Sequence, residues 1–159
     1  MKQETEVKAI DLNHFTLRTP KLEETRRFFE EVVGLRVGNR PDFKFPGYWM
    51  YSAAGLPVLH MMARDTGDAE LVRYLGDRGQ TSGSGVVDHI SFNCEGLPGF
   101  EERLKKAGYP YQPRTVPGEG LHQVFVVDPN GITFEFMFKQ SEQASWIADD
   151  AGVAIGSAR

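Results

Sequence analysis

The chain has 159 residues, with 18 Lys and Arg against 22 Asp and Glu, for a formal net charge of −4. That length suits one domain or two small modules sharing a core, and the basic residues form no stripe, which argues against nucleic acid as a partner. No apolar run approaches the roughly 20 residues a membrane span needs, Met1 to Glu6 lacks the apolar stretch of a secretory signal, and the single Cys94 fits a reducing cytoplasm.

Residues 11–18 alternate as a strand. Thr19 and Pro20 open a helix over Lys21 to Val33, with Leu22, Thr25, Phe29, Val32 and Val33 inward. Gly34 closes that helix. Three strands follow, at Leu35 to Val37, Gly47 to Tyr51 and Pro57 to Met62, so residues 1–63 form a βαβββ module. A linker, 64–85, carries a short helix over Asp68 to Leu75 and a Gly-rich stretch, Gly76 to Gly85, able to cover a site. The second module, 86–138, repeats the order: a strand at Val86 to Asn93, a helix at Leu97 to Ala107, an edge strand at Tyr109 to Arg114, and strands at His122 to Val127 and Ile132 to Phe138 around the turn Asp128-Pro129-Asn130-Gly131. The tail, 139–159, has a short helix over Ser141 to Asp150 and a loose end.

The two modules share more than element order. Leu12-Asn13-His14-Phe15-Thr16-Leu17 returns as Val87-Asp88-His89-Ile90-Ser91-Phe92, and His14 and His89 stand 75 residues apart (89 − 14 = 75). The same offset takes Pro57-Val58-Leu59-His60-Met61-Met62 to Ile132-Thr133-Phe134-Glu135-Phe136-Met137, which pairs His60 with Glu135. Two duplicated sheets packed about a pseudo-twofold axis would bring these four residues together. Glu135, between Phe134 and Phe136, is costly to desolvate unless paired or metal-bound. Imidazoles and a carboxylate suit a divalent first-row metal, and two His with one carboxylate is the facial set of non-haem Fe(II) oxygenases. His122 follows a Gly-rich loop in the adjacent strand and reads as a proton shuttle, a substrate hydrogen-bond donor or a solvated loop residue.

With these segments, with Phe28 to Leu35, and with Asp128-Pro129-Asn130-Gly131 before Glu135, the chain resembles the vicinal oxygen chelate superfamily over roughly residues 10–138. That superfamily includes glyoxalase I, type I extradiol dioxygenases, methylmalonyl-CoA epimerase and fosfomycin resistance proteins. The resemblance implies an α+β fold in which two βαβββ modules form a cupped, incompletely closed barrel, and commonly a homodimer. It implies His14, His89 and Glu135 as metal ligands, with His60 and His122 as acid-base candidates around a small-molecule substrate. Fe(II) is the favoured metal, ahead of Ni(II), Zn(II), Mn(II) or Co(II). The leading expectation is an extradiol-type dioxygenase acting on a small aromatic or enediol substrate bound through two oxygens, although Phe125 stands where those enzymes carry a Tyr. The alternative is a glyoxalase I-type lyase or isomerase with His60 as a fourth ligand. An antibiotic-sequestering protein without chemistry is the reading from another class, and the intact donor residues argue against it.

Overall fold

Alternation along each strand sorts side chains onto two faces, and the fold follows from which face is apolar. In the computed structural model the described residues are 9–64, 67–69, 72–73, 76, 82–116, 118–149, 152 and 154–155. The first half forms strands β1 (Phe15–Thr19), β2 (Arg36–Gly38), β3 (Gly47–Tyr51) and β4 (Pro57–Ala63), in sheet order β1-β4-β3-β2. The second half forms β5 (His89–Asn93), β6 (Tyr111–Val116), β7 (Leu121–Val127) and β8 (Thr133–Lys139), in the matching order β5-β8-β7-β6. β1 runs parallel to β4 with Phe15 opposite Leu59 and Thr16 opposite His60. β5 runs parallel to β8 with Ile90 opposite Phe134 and Ser91 opposite Glu135. The sequence repeat is therefore also a repeat of register. The two sheets stay separate and do not close into a barrel, the cupped α+β arrangement expected from the sequence.

Helix α1 (Leu22–Arg27) passes directly into a π-helical turn, Phe28–Val33, where a single α-helix is expected. The reason is the adjacent pair Phe28 and Phe29. Both are buried, with Thr25 and Val32, and the wider turn keeps two neighbouring rings inside where an α-helical step would swing one outward. Gly34, at φ 85, ends the turn, as its sequence position predicts. The helix starts at Leu22 with Lys21 as its N-cap and no side-chain cap, later than the Thr19-Pro20 entry expected; Thr19 Oγ1 instead accepts from the N–H of Lys21 itself at 2.9 Å. Helix α2 (Leu97–Ala107) is anchored at its start by Glu142, whose Oε2 accepts from the N–H groups of Gly96 at 2.8 Å and Leu97 at 2.6 Å.

Three expectations need correction. β1 begins at Phe15, so 11–14 and with them His14 lie before the strand. The tail forms no helix over the described part of Ser141 to Asp150; it forms a two-residue strand β9 (Ile147–Ala148), antiparallel to β10 (Ala154–Ile155). The cause is Trp146, which is buried and donates Nε1–H to Thr115 Oγ1 at 3.1 Å, while Ser145 bonds the buried Glu101 through its hydroxyl and its N–H. Where a loose end is expected over Ala151 to Arg159, the described residue Gly152 is tied down, its carbonyl accepting from the Thr115 N–H at 2.9 Å. Of the helix expected over Asp68 to Leu75, residues 70, 71, 74 and 75 lie outside the described residues, as do 77–81 of the linker. The bond from the Val72 N–H to the Asp68 carbonyl, 3.0 Å, has helical spacing.

One apolar cluster joins the modules. Phe28, Phe29, Leu59 and Met61 from the first meet Leu104, Val124, Phe134, Phe136 and Phe138 from the second, and each such burial stabilises by about 1.5–3 kcal/mol. Phe15 packs its ring 6.0 Å from Phe92 and 5.9 Å from Phe134, so β1 itself belongs to this seam. A polar latch lies beside it. Asn130, in the β7–β8 turn, accepts from Thr19 Oγ1 and donates to Thr25 Oγ1 at 3.0 Å and to Asp128 Oδ2 at 2.8 Å. Burial pushes the Asp128 carboxyl upward, against the bonds from Asn130 and Ile132 that hold it down.

Candidate metal centre

With Phe15, Leu17 and Thr19 turned to the core, the alternate residues of β1 and the segment before it face the other way. His14 and Thr16 are exposed there, and His60, on β4, shares that face. The His14 and His60 rings stack with centroids 3.9 Å apart at 23°. Trp49, directly opposite His60 on β3, covers the imidazole with centroids 3.9 Å apart and planes 1° from parallel. His60 Nε2 is buried and has no hydrogen-bond partner among the described residues. Burial, and then the neighbouring His14, push the His60 pKa down, against a backbone hydrogen bond to Pro57.

The second sheet builds the equivalent pair. His89 opens β5, and Glu135 lies on β8 with only 6% of its surface exposed. His89 Nε2 stands 3.4 Å from Glu135 Oε2. Asp88, followed by Glu135, raises the His89 pKa against the cost of burial. Gln123 donates its amide Nε2–H to Glu135 Oε1, which leaves Oε2 as the oxygen toward His89. The edge of the Phe125 ring completes the wall at 5.9 Å from His89. Arg114 lies over the Phe125 ring at 5.4 Å and places a cation beside it.

The two first-strand histidines are oriented in the same way. His14 Nδ1 bonds Asn13 Oδ1 at 2.6 Å, and His89 Nδ1 bonds Asp88 Oδ1 at 2.7 Å. A partner on Nδ1 fixes the ring and leaves Nε2 as the coordinating atom, the arrangement usual for metal-bound histidine. His60 contributes a second unengaged Nε2, and the 3.4 Å between His89 Nε2 and Glu135 Oε2 is close to the roughly 3 Å separating adjacent ligands on a cation with bonds of about 2.1 Å. By donor chemistry these residues fit a divalent metal. They come in two pairs, one per sheet, and among the described residues no group of three or more His, Cys, Asp or Glu is positioned to hold an ion.

The structure does not bring His122 to either pair. His122 lies on the core face of β7 with Val124 and Val126, its Nδ1 2.9 Å from Thr115 Oγ1 and its ring against Trp146. Gln123, its neighbour on the other face, is the residue that sequence reasoning missed. The signal for it was the β7–β8 turn: Asp128 to Ile132 closes that hairpin, which sets Phe125 opposite Glu135 and so puts Gln123 on Glu135's face.

A family model described as the glyoxalase/bleomycin resistance protein/dioxygenase superfamily matches residues 11–136. The chain belongs to that superfamily. Among characterised sequences it is 27% identical over 127 residues to Glyoxylase I 4 of Arabidopsis thaliana, a match covering 78% of this chain and 68% of that protein. Among solved structures, a glyoxylase/bleomycin resistance protein/dioxygenase domain from Frankia sp. EAN1pec superposes with a TM-score of 0.58 at 22% identity, covering 83% of this chain and 99% of that one. A mutant of the fosfomycin resistance protein FosX from Listeria monocytogenes, solved with Mn(II) and a dihydroxypropylphosphonic acid, superposes with a TM-score of 0.53 at 18% identity, covering 81% and 92%. At these identities the structures show the shared superfamily fold. No helix among the described residues is long and apolar enough to cross a membrane.

Proposed function

We propose that this protein is a divalent-metal-dependent isomerase or lyase of the glyoxalase type, acting on a small substrate that offers two adjacent oxygens. The observation that carries this reading is the equivalence of His60 and Glu135. Each pairs with the residue two positions after its module's first histidine, Thr16 after His14 in one sheet and Ser91 after His89 in the other. If one member of this matched set is a ligand, its counterpart belongs in the same set. Four protein donors leave two positions on a six-coordinate cation, enough for two substrate oxygens. An Fe(II) dioxygenase of extradiol type needs a third position for O2, so the expectation from sequence gives way to its alternative. The relative named as a glyoxylase supports the same choice.

We assign the four donors to a centre assembled from two copies of the chain, the His14–His60 pair of one meeting the His89–Glu135 pair of the other. The 2 + 2 distribution of donors, His14 stacked on His60 in one sheet and His89 beside Glu135 in the other, supports this arrangement. A bound divalent cation supplies Lewis-acid polarisation of the substrate oxygens and stabilises negative charge developing on them. The chain's own part is orientation and proton handling. Asn13 and Asp88 hold the first-strand imidazoles, and Gln123 holds Glu135 Oε1. The Glu135 carboxylate, which keeps lone pairs beyond the one it gives a metal, is the group able to accept a substrate proton at these faces. A cleft of about 610 Å³ lined by Leu35, Phe92, Leu121 and Met137 begins two residues along β8 from Glu135 and offers an apolar substituent room.

The test is to load protein with Ni(II), Zn(II), Co(II), Mn(II) and Fe(II) separately under argon. Isomerisation of a hemithioacetal and O2 uptake on catechols and hydroquinones are then measured, with the imidazole ligands counted by X-ray absorption. Chelator-sensitive isomerisation with three imidazoles on the metal is the expected result. O2 uptake by the Fe(II) form with two imidazoles overturns the reading.

A further inference from the structure

In both modules an aromatic residue stands directly opposite the donor of the fourth or eighth strand: Trp49 opposite His60, and Phe125 opposite Glu135. Only Trp49 stacks on its donor. Its indole lies flat against the His60 imidazole, 3.9 Å between centroids and 1° between planes, while His14 covers the other face. The three rings form a row running from the segment before β1, across β4, to β3. Strands in a sheet are about 4.8 Å apart, so rings at 3.9 Å lean together and leave the imidazole little freedom to tilt. Rotation about χ2 of a histidine is otherwise broad, and among the described residues His60 Nε2 has no hydrogen bond of its own to hold it. His14 and His89 are oriented by polar neighbours, Asn13 and Asp88, at Nδ1. Among the described residues His60 has no such side-chain partner; a backbone hydrogen bond to Pro57 engages the imidazole, and the indole face adds the restraint on its plane.

We infer that Trp49 is a positioning residue, a clamp that fixes the plane of the His60 ring and so the direction of Nε2 toward the metal. The inference rests on the reading of His60 as a ligand. It is tested by metal affinity, measured by chelator competition with Ni(II) and Zn(II), in a double-mutant cycle of Trp49→Leu and His60→Gln, with Tm recorded for each variant. Trp49→Leu weakens metal binding about ten-fold or more, in the range seen when a group orienting a ligand is lost. Trp49→Phe, which keeps a flat ring, restores most of that loss. In the His60→Gln background Trp49→Leu changes affinity by less than about two-fold, because there is no imidazole left to orient. In a Trp146→Phe protein, where Trp49 is the sole indole, Ni(II) loading quenches the fluorescence. Equal loss from Trp49→Leu with and without His60 overturns the inference, since that pattern marks a merely structural role. Unchanged affinity in Trp49→Leu beside a full His60→Gln effect overturns the clamp and leaves the ligand reading standing. Unchanged affinity in His60→Gln alone removes the ligand reading and the clamp with it.

Discussion

Complementation between two damaged chains offers a direct check on a centre shared by two copies. His14→Ala removes one donor from the first pair, and Glu135→Ala removes one from the second. The structure keeps the pairs on different sheets, His14 against His60 and His89 against Glu135, so each variant retains one intact pair. Alone, each variant has no complete set of four. When the two are mixed and allowed to exchange subunits, random pairing makes about half of the dimers mixed, by the symmetry of a twofold assembly. In a mixed dimer the intact pair of one chain meets the intact pair of the other at one of the two centres, and the second centre lacks both donors. About a quarter of all centres are then complete. Metal retained against a chelator that strips both parents should therefore recover to about a quarter of the wild-type stoichiometry. Native mass spectrometry confirms that exchange has occurred, and elemental analysis after chelator dialysis reads the metal. Recovery no greater than the average of the two parents, in a sample shown to contain mixed dimers, refutes the shared centre. A wild-type protein that stays monomeric when loaded with metal refutes it as well.

Four further outcomes follow from contacts in the structure. Gln123→Leu removes the donor on Glu135 Oε1 and should weaken metal binding about 10–100-fold, read by chelator competition. Cys94, whose thiol burial and then Glu142 push up to about 11, should react with a disulfide reagent at pH 8 about a hundred-fold more slowly than an unperturbed thiol of pKa about 8.5, and the rate should climb steeply above pH 9; prompt stoichiometric labelling of folded protein at pH 8 would contradict this. Asn130→Ala strips the latch of three hydrogen bonds and leaves Thr19, Thr25 and Asp128 without that partner, a loss of about 2–4 kcal/mol in urea unfolding after allowing for non-additivity; a loss under about 1 kcal/mol would mean the latch is solvated or replaceable. Arg18 donates Nη1–H to the Gly76 carbonyl while its Nε and Nη2 are buried without hydrogen-bond partners among the described residues, so Arg18→Met should leave the ligand-free protein as stable or more stable, and a loss of about 2 kcal/mol or more would show that the guanidinium is compensated.

The fold was legible because alternation and repeat are properties of single strands and of one constant offset. Phe15 opposite Leu59 and Ile90 opposite Phe134 differ by that same 75 residues on both sides (90 − 15 and 134 − 59), so a repeat read from residue types became a repeat of register. What escaped the sequence depends on partners far along the chain. The π-helical turn answers the packing of Phe28 and Phe29 against Tyr109 and Phe134, which no local pattern announces. The tail reads as a short helix carrying Trp146 and Ile147, yet Trp146 is drawn to Thr115 and Ser145 to Glu101, and those contacts hold the segment out of a helix.

The site shows where strand alternation stops being sufficient. β7 reads Leu121-His122-Gln123-Val124-Phe125-Val126-Val127, apolar on both faces, so residue type alone assigns neither face to the core. His122 drew attention as the only histidine there, and it is the residue that turned inward. The face was nevertheless fixed by chain geometry. The antiparallel return through Asp128 to Ile132 pairs Val127 with Thr133 and Phe125 with Glu135, which places odd-numbered residues of β7 beside the carboxylate. The same reasoning bears on the choice between reactions. His60 and Glu135 occupy equivalent positions because a duplicated backbone gives them no alternative, so their difference lies in chemistry alone. A carboxylate needs a donor to hold it and finds Gln123; an imidazole is held by a flat surface and finds Trp49. Each module has supplied the support its own donor requires, and an imidazole supported as carefully as the carboxylate is the strongest reason to place both on one metal.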